Sequence, residues 1–140
     1  MMRATLLMLV GCFAAVPLHA QASEDSAAAA FVRRLQSAVR ADDRMAVAAL
    51  AGSRFIVNQG RGTDRVESQA DFLSIYDRVM TRAVRSAILQ QNPDSLFHNY
   101  QGYMIGRGEV WFDRACTSTR HCSGPFAFEA INLSAPPPSH

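Results

Sequence analysis

The chain has 140 residues and a formal charge of +2, with 14 basic residues, all of them arginine, against 12 acidic ones. That length holds one domain with a single core and not two. A surplus so small, with the arginines dispersed among acids, excludes the strong electrostatic pull of a nucleic-acid or anionic-lipid binder.

At the N-terminus, Arg3 stands ahead of an apolar run from Ala4 to Val16, followed by Pro17 and the small-residue triplet Ala20-Gln21-Ala22. This is the layout of a secretory signal peptide, so residues 1–22 read as a leader and the protein as periplasmic or secreted. The run is too short, and wrongly flanked, for a membrane span. Leu9-Val10-Gly11-Cys12 also reads as a lipoprotein box that would anchor the chain through Cys12. Soluble export is favoured, because the apolar run continues through Phe13-Ala14-Ala15-Val16 where a lipoprotein switches to a polar tether. Removing 22 residues leaves 118, and the loss of Arg3 leaves 13 basic against 12 acidic residues.

From Ser23 to Arg40, Phe31, Val32, Leu35, Ala38 and Val39 recur at helical spacing, with arginines elsewhere on the wheel. Glu24 and Asp25 suit the positive end of this helix and Arg40 the negative end. Asp42 or Asp43 then caps a shorter helix through Met45, Val47 and Leu50, ended by Gly52. Phe55-Ile56-Val57 reads as a strand, and Gly60-Arg61-Gly62-Thr63-Asp64 as a hairpin turn; the loop lacks the lysine and spacing of a phosphate cradle. Ser68 with Asp71 opens a helical segment that runs to Gln91, either one helix or two with a kink near Thr81. Its Arg78, Arg82 and Arg85 read as a solvated face rather than a binding stripe.

Asn92-Pro93-Asp94 stops that segment, and four strands follow, at 96–98, 103–105, 109–114 and 126–133, punctuated by Gly102, Gly106 and Gly108. The last two strands are expected to pair as a hairpin pinched by a disulfide between Cys116 and Cys122, the default for two cysteines in an oxidising compartment. A ring so short contributes about 2 kcal/mol. The rival reading, metal bound by Cys116, His121 and Cys122, lacks a second cysteine or histidine pair, and no metal or other cofactor is expected. Residues 134–140 read as an extended proline-rich tail. Asn132-Leu133-Ser134 is a glycosylation sequon, meaningful only on a eukaryotic secretory route.

Helix, short helix, strand, helical segment and antiparallel strands form an α+β order whose sheet must cover its apolar face with the preceding helices. With Phe31 through Leu50 running through Ala41-Asp42-Asp43, Gly62 to Phe72, and the glycine-bearing stretch from Gly102 to Phe112, the chain resembles the nuclear transport factor 2-like superfamily. The resemblance covers residues 23–133 and implies a cone-shaped, curved antiparallel sheet, as in ketosteroid isomerase and the polyketide cyclases. It looks closest to small uncharacterised exported members. The fold hosts enzymes and plain binding modules alike, so it carries little about activity.

Enzymes of that superfamily bury an acid, often beside a histidine or tyrosine, to move protons. Candidates here are Asp113, Glu109, Asp77, His98, Tyr76 and Tyr103. Strand alternation sorts them: Val110 and Phe112 take the buried face with Arg114, so Glu109, Trp111 and Asp113 point outward. A one-residue slip would reverse this. On the partner strand Phe126, Phe128 and Ala130 form the matching set, with Asn132 at its end. Tyr76, Phe112, Phe126, Phe128 and Asn132 would line a cavity for an apolar small molecule, or close up as core. No nucleophile has a recognisable flanking pattern. These readings favour an exported binding or interaction module, dimeric through the outer sheet face around Trp111 because that aromatic would otherwise stand exposed. A cofactor-free lyase or isomerase, and an inhibitor or immunity-type partner of a secreted toxin, are the alternatives.

Overall fold

The computed structural model describes residues 18–119 and 121–134. Most of the expected leader, Cys12 included, lies outside them, as do Arg120 and the tail beyond Ser134. No helix among the described residues is long and apolar enough to cross a membrane.

Helix α1 spans Leu18–Arg40 and so begins inside the expected leader. Ala20 to Ser23 are exposed and bond only locally, whereas the helix's ties to the sheet begin at Glu24 and Asp25. The expected stripe of Phe31, Val32, Leu35, Ala38 and Val39 is buried, and Ala28 extends it one turn earlier. Asp42 takes φ 53°, and Asp43 caps helix α2 (Arg44–Ala51) by accepting the amide of Ala46 at 3.0 Å. Both aspartates are therefore used, one to turn the chain and one to cap.

Strands β1 (Phe55–Gln59) and β2 (Gly62–Val66) form the expected hairpin, with Gly60 at φ +51° in its two-residue turn. The helical segment is more broken than its periodicity suggests. Helices α3 (Gln69–Ser74) and α4 (Tyr76–Val79) meet at Ile75, and α5 (Arg82–Gln90) begins after Thr81. Ser68 and Thr81 each cap their helix by accepting an amide three residues on. The second cap makes the kink near Thr81 a true break, and the break at Ile75 is one the sequence did not announce. The expected solvated arginine face is laced by ion pairs, Arg78 to Asp64 at 2.9 Å and Arg85 to Asp42 at 3.0 Å, while Arg82 is exposed.

The remaining strands are β3 (Phe97–Asn99), β4 (Gly102–Ile105), β5 (Val110–Arg114) and β6 (Phe126–Asn132). The six form one sheet in the order β2-β1-β6-β5-β4-β3. It is mixed, not wholly antiparallel as expected, because β1 lies parallel to β6 with Val57 opposite Ile131. Such a pair needs a long crossover, here the whole of β2 through β5. The architecture is α+β, with α1 packed across one face of the sheet. Phe31 of that helix meets Phe112 at 4.7 Å and Phe126 at 5.9 Å between ring centroids.

Strand β5 alternates as expected: Val110 and Phe112 are fully buried, Trp111 and Asp113 turn away. In β6 the alternation breaks. Trp111 pairs with Ala130 but Phe112 pairs with Phe128, so Glu129 is a bulge. The extra residue shifts the phase beyond it, and Ile131 is buried in place of Ala130 and Asn132.

Candidate functional site

The four aromatics read from the sequence as a possible cavity lining come together, but as filled volume. Phe112, Phe126, Phe128 and Tyr76 are each 7% exposed or less. Phe112 and Phe126 stand edge to face at 5.6 Å, and Phe128 packs against Phe31 and Phe55 at 6.5 and 5.7 Å. Tyr76 tilts against Phe72 at 5.5 Å under the Arg44 guanidinium, which lies 4.9 Å from its ring centre. Its hydroxyl is buried with no hydrogen-bond partner, and burial raises its pKa. An unpaired buried hydroxyl costs about 1–3 kcal/mol. Tyr76 holds its place through its ring, then, and not through a polar contact.

A second group gathers where α1 meets β3 and β4. Tyr103, 2% exposed, donates its hydroxyl to Asp25 Oδ1 at 2.8 Å, and its ring lies between His98 (4.1 Å, stacked) and Phe112 (5.4 Å). Burial first, and then the bond to Asp25, push the phenol well above its ordinary pKa, so it stays a neutral donor already committed to its acceptor. Beside it, Arg114 grips both oxygens of Glu24 at 2.6 and 3.1 Å and lies over the Phe126 ring at 4.1 Å. That hydrogen bond lowers the Glu24 pKa. The structure thus brings Tyr103 and His98 together, with Asp25 as the acid. The helix-dipole role read for Glu24 and Asp25 is not the one they fill, because α1 begins at Leu18 and has no acid in its first turn; the partner of Asp25 lies 78 residues away and nothing local marks it. The group is a clamp fixing α1 to the sheet. A cleft of about 280 Å³ opens beside it, between Asp25, Arg33, Asp94 and Tyr103.

Asp113 faces outward as expected, with its carboxylate accepting the amide of Arg114 at 2.8 Å. Glu109 does not. It precedes β5, is 7% exposed, and turns its carboxylate back to accept the amide of Arg107 at 2.5 Å within the β4–β5 turn. Strand alternation fails there because the residue lies in a turn and not in the strand. Asp77 is exposed and pairs with Arg44 at 2.7 Å. Asn132, expected in the interior, sits on the outer face because of the bulge at Glu129.

On that outer face the register aligns Phe97, Met104, Trp111, Ala130 and Ile56 across five consecutive strands. Five strands about 4.8 Å apart make a row about 19 Å long. Phe97 is 54% exposed and packs edge-on against Trp111 at 6.4 Å; the other four are partly exposed. None of the five is buried, so the row is open to solvent, and Arg65 extends it on β2 opposite Ile56. Alongside it runs a polar ladder: Thr63 donates to Asn58 at 2.8 Å, Asn58 to Asn132 at 2.7 Å, and Asn132 to the Gly108 carbonyl at 2.6 Å. On the other flank lie Asp113 and the bulge residue Glu129, whose carboxyl is pushed up by desolvation and by Asp113.

Cys116 and Cys122 are joined in a disulfide, as the sequence reading expects, and Thr117 bonds to His121 across the ring. The bond suits an oxidising compartment. Its sulfurs are therefore not free to bind metal with His121, and no group of three or more metal-ligating side chains occurs among the described residues. Compared with known proteins, the chain matches no family model, no curated protein and no solved structure.

Proposed function

We propose that this chain is an exported binding module with a nuclear transport factor 2-like fold, acting through the outer face of its sheet, and that a second copy of the chain occupies that face. The fold part of this reading is supported by the order of two helices, hairpin, broken helical segment and meander, with β1 returning beside β6. Export is supported by the layout of residues 1–22 and by the disulfide.

One observation carries the choice of the outer face: the interior aromatics pack on one another, while the row from Phe97 to Ile56 lies uncovered. Monomers seldom expose so continuous an apolar strip unless it binds something. Charge argues for a second copy. The row has acids, Asp113 and Glu129, along one flank and Arg107 by Trp111 along the other. A two-fold axis running along the row, in the plane between two stacked sheets, sets the acids of one copy over the arginine of the other. Apolar side chains then meet their own counterparts across the axis, as an isologous interface requires.

Sedimentation equilibrium tests this. The protein is expected at twice its monomer mass, and Met104→Arg, which places a charge midway between Trp111 and Phe97, is expected to sediment as a monomer with unchanged circular dichroism. A wild-type monomer at hundreds of micromolar would contradict the reading, and so would a dimer that tolerates the arginine.

A further inference from the structure

Trp111 stands between two unlike surfaces. Its ring meets Phe97 in the apolar row, and its other flank borders a cleft of about 390 Å³ walled by Asn58, Gln101, Arg107 and Asn132. We propose that this cleft binds a saccharide.

The chemistry of the wall selects that class. Three carboxamides and an indole line it, with one guanidinium. A carboxamide nitrogen carries two hydrogens. Asn58 spends one on Asn132, and Asn132 spends one on the Gly108 carbonyl, which fixes both amides and leaves each a donor free. The Gln101 carboxamide and the Trp111 Nε1–H have no hydrogen-bond partner among the described residues. Gly108, at φ +109°, lies against the indole edge, where a Cβ would sit 3.5 Å from Nε1. The result is a set of held and unspent donors and acceptors beside an aromatic surface.

Ligands of other classes fit less well. An apolar molecule would leave the carboxamides unpaired, at a cost for each. A densely charged anion would find one arginine, already 3.9 Å from Glu109. A sugar ring offers neutral hydroxyls for the amides and the indole N–H, and a C–H face for the aromatic wall. The volume lies in the lower part of the range for small-molecule sites, which suits a ring or two rather than a long chain. Arg107, with its side chain half exposed, adds a contact for the carboxylate of an acidic sugar. The cleft shares Trp111 and Arg107 with the proposed dimer face, while Asn58, Gln101 and Asn132 lie beside the row, and it does not depend on a second copy.

Trp111 is the only tryptophan, so its fluorescence reads the cleft directly. Titration with cellobiose, diacetylchitobiose and glucuronate is expected to give a saturable change with at least one of them. Gln101→Ala removes a side chain that makes no internal hydrogen bond, so the fold should survive it, and it is expected to weaken that binding at least tenfold. Arg107→Ala should lower the response to glucuronate more than to the neutral sugars. Sedimentation equilibrium of the wild-type protein with and without each sugar reads the dimer separately, which separates failure of this proposal from failure of the dimer. No saturable change with any of the three sugars overturns the proposal, as does binding that Gln101→Ala leaves unchanged.

Discussion

Replacing Phe112 by alanine is expected to lower the unfolding free energy by about 3–5 kcal/mol, measured by chemical denaturation at constant m-value. Phe112 is fully buried, and its ring meets those of Phe31, Tyr103 and Phe126 at 4.7, 5.4 and 5.6 Å. Truncation therefore loses the transfer energy of the ring and leaves a cavity whose walls are held by three other aromatics and cannot collapse fully. Domains of this size have about 5–15 kcal/mol in all, so the loss takes a large share of the total. The magnitude also separates two readings of the interior. A side chain lining an open ligand cavity already lacks packing partners on one side, and its loss would cost much less. A penalty near 1 kcal/mol would mean that the space between α1 and the sheet is not filled as described.

Gly102→Ala is expected to cost about 2–4 kcal/mol, from a conformation that L-residues rarely adopt together with overpacking. Gly102 sits at φ +107°, where β3 turns into β4, and an added Cβ would fall 2.6 Å from the Phe112 carbonyl oxygen and 3.0 Å from the Asp113 Cβ. The clash is with backbone, which cannot swing away as a flexible side chain can. Relief would require β4 and β5 to part where Tyr103 pairs with Phe112, disturbing the stacked rings and the bond from Tyr103 to Asp25. Thermal unfolding of the variant beside Gly62→Ala provides the contrast. Gly62 has nothing within 4 Å of an added Cβ and no unusual φ, so that change should be small. Equal losses in the two variants would contradict the account of β4 and β5.

The sequence made legible what local patterns encode. Phe31 through Val39 announces a helix by its period, Asp43 and Ser68 announce caps, and Val110 and Phe112 set the phase of β5, which places Asp113 outside the core. Three features were not legible, each for a physical reason. The bulge at Glu129 adds a residue to β6 without a glycine or proline to mark it, so alternation counted through it puts Ala130 and Asn132 on the wrong face. The parallel pairing of β1 with β6 joins segments more than 70 residues apart and leaves no trace in either. The clamp of Asp25 on Tyr103 and Glu24 on Arg114 likewise depends on tertiary folding, since acids on a helix look the same in sequence whether or not a partner waits across the sheet. The row from Phe97 to Ile56 follows from strand register, and only Trp111 within it was read from the sequence as part of an outer binding face.

Because Trp111 is the lone tryptophan and lies at the middle of that row, its quenching by acrylamide as the protein is diluted tests most directly whether the outer face is the working surface. Burial against a second copy predicts weak quenching in concentrated solution that rises severalfold on dilution, with a red shift in emission, while far-UV circular dichroism stays constant. Quenching that is strong and the same at every concentration would mean that the face stands bare, and the proposed mode of action would fail.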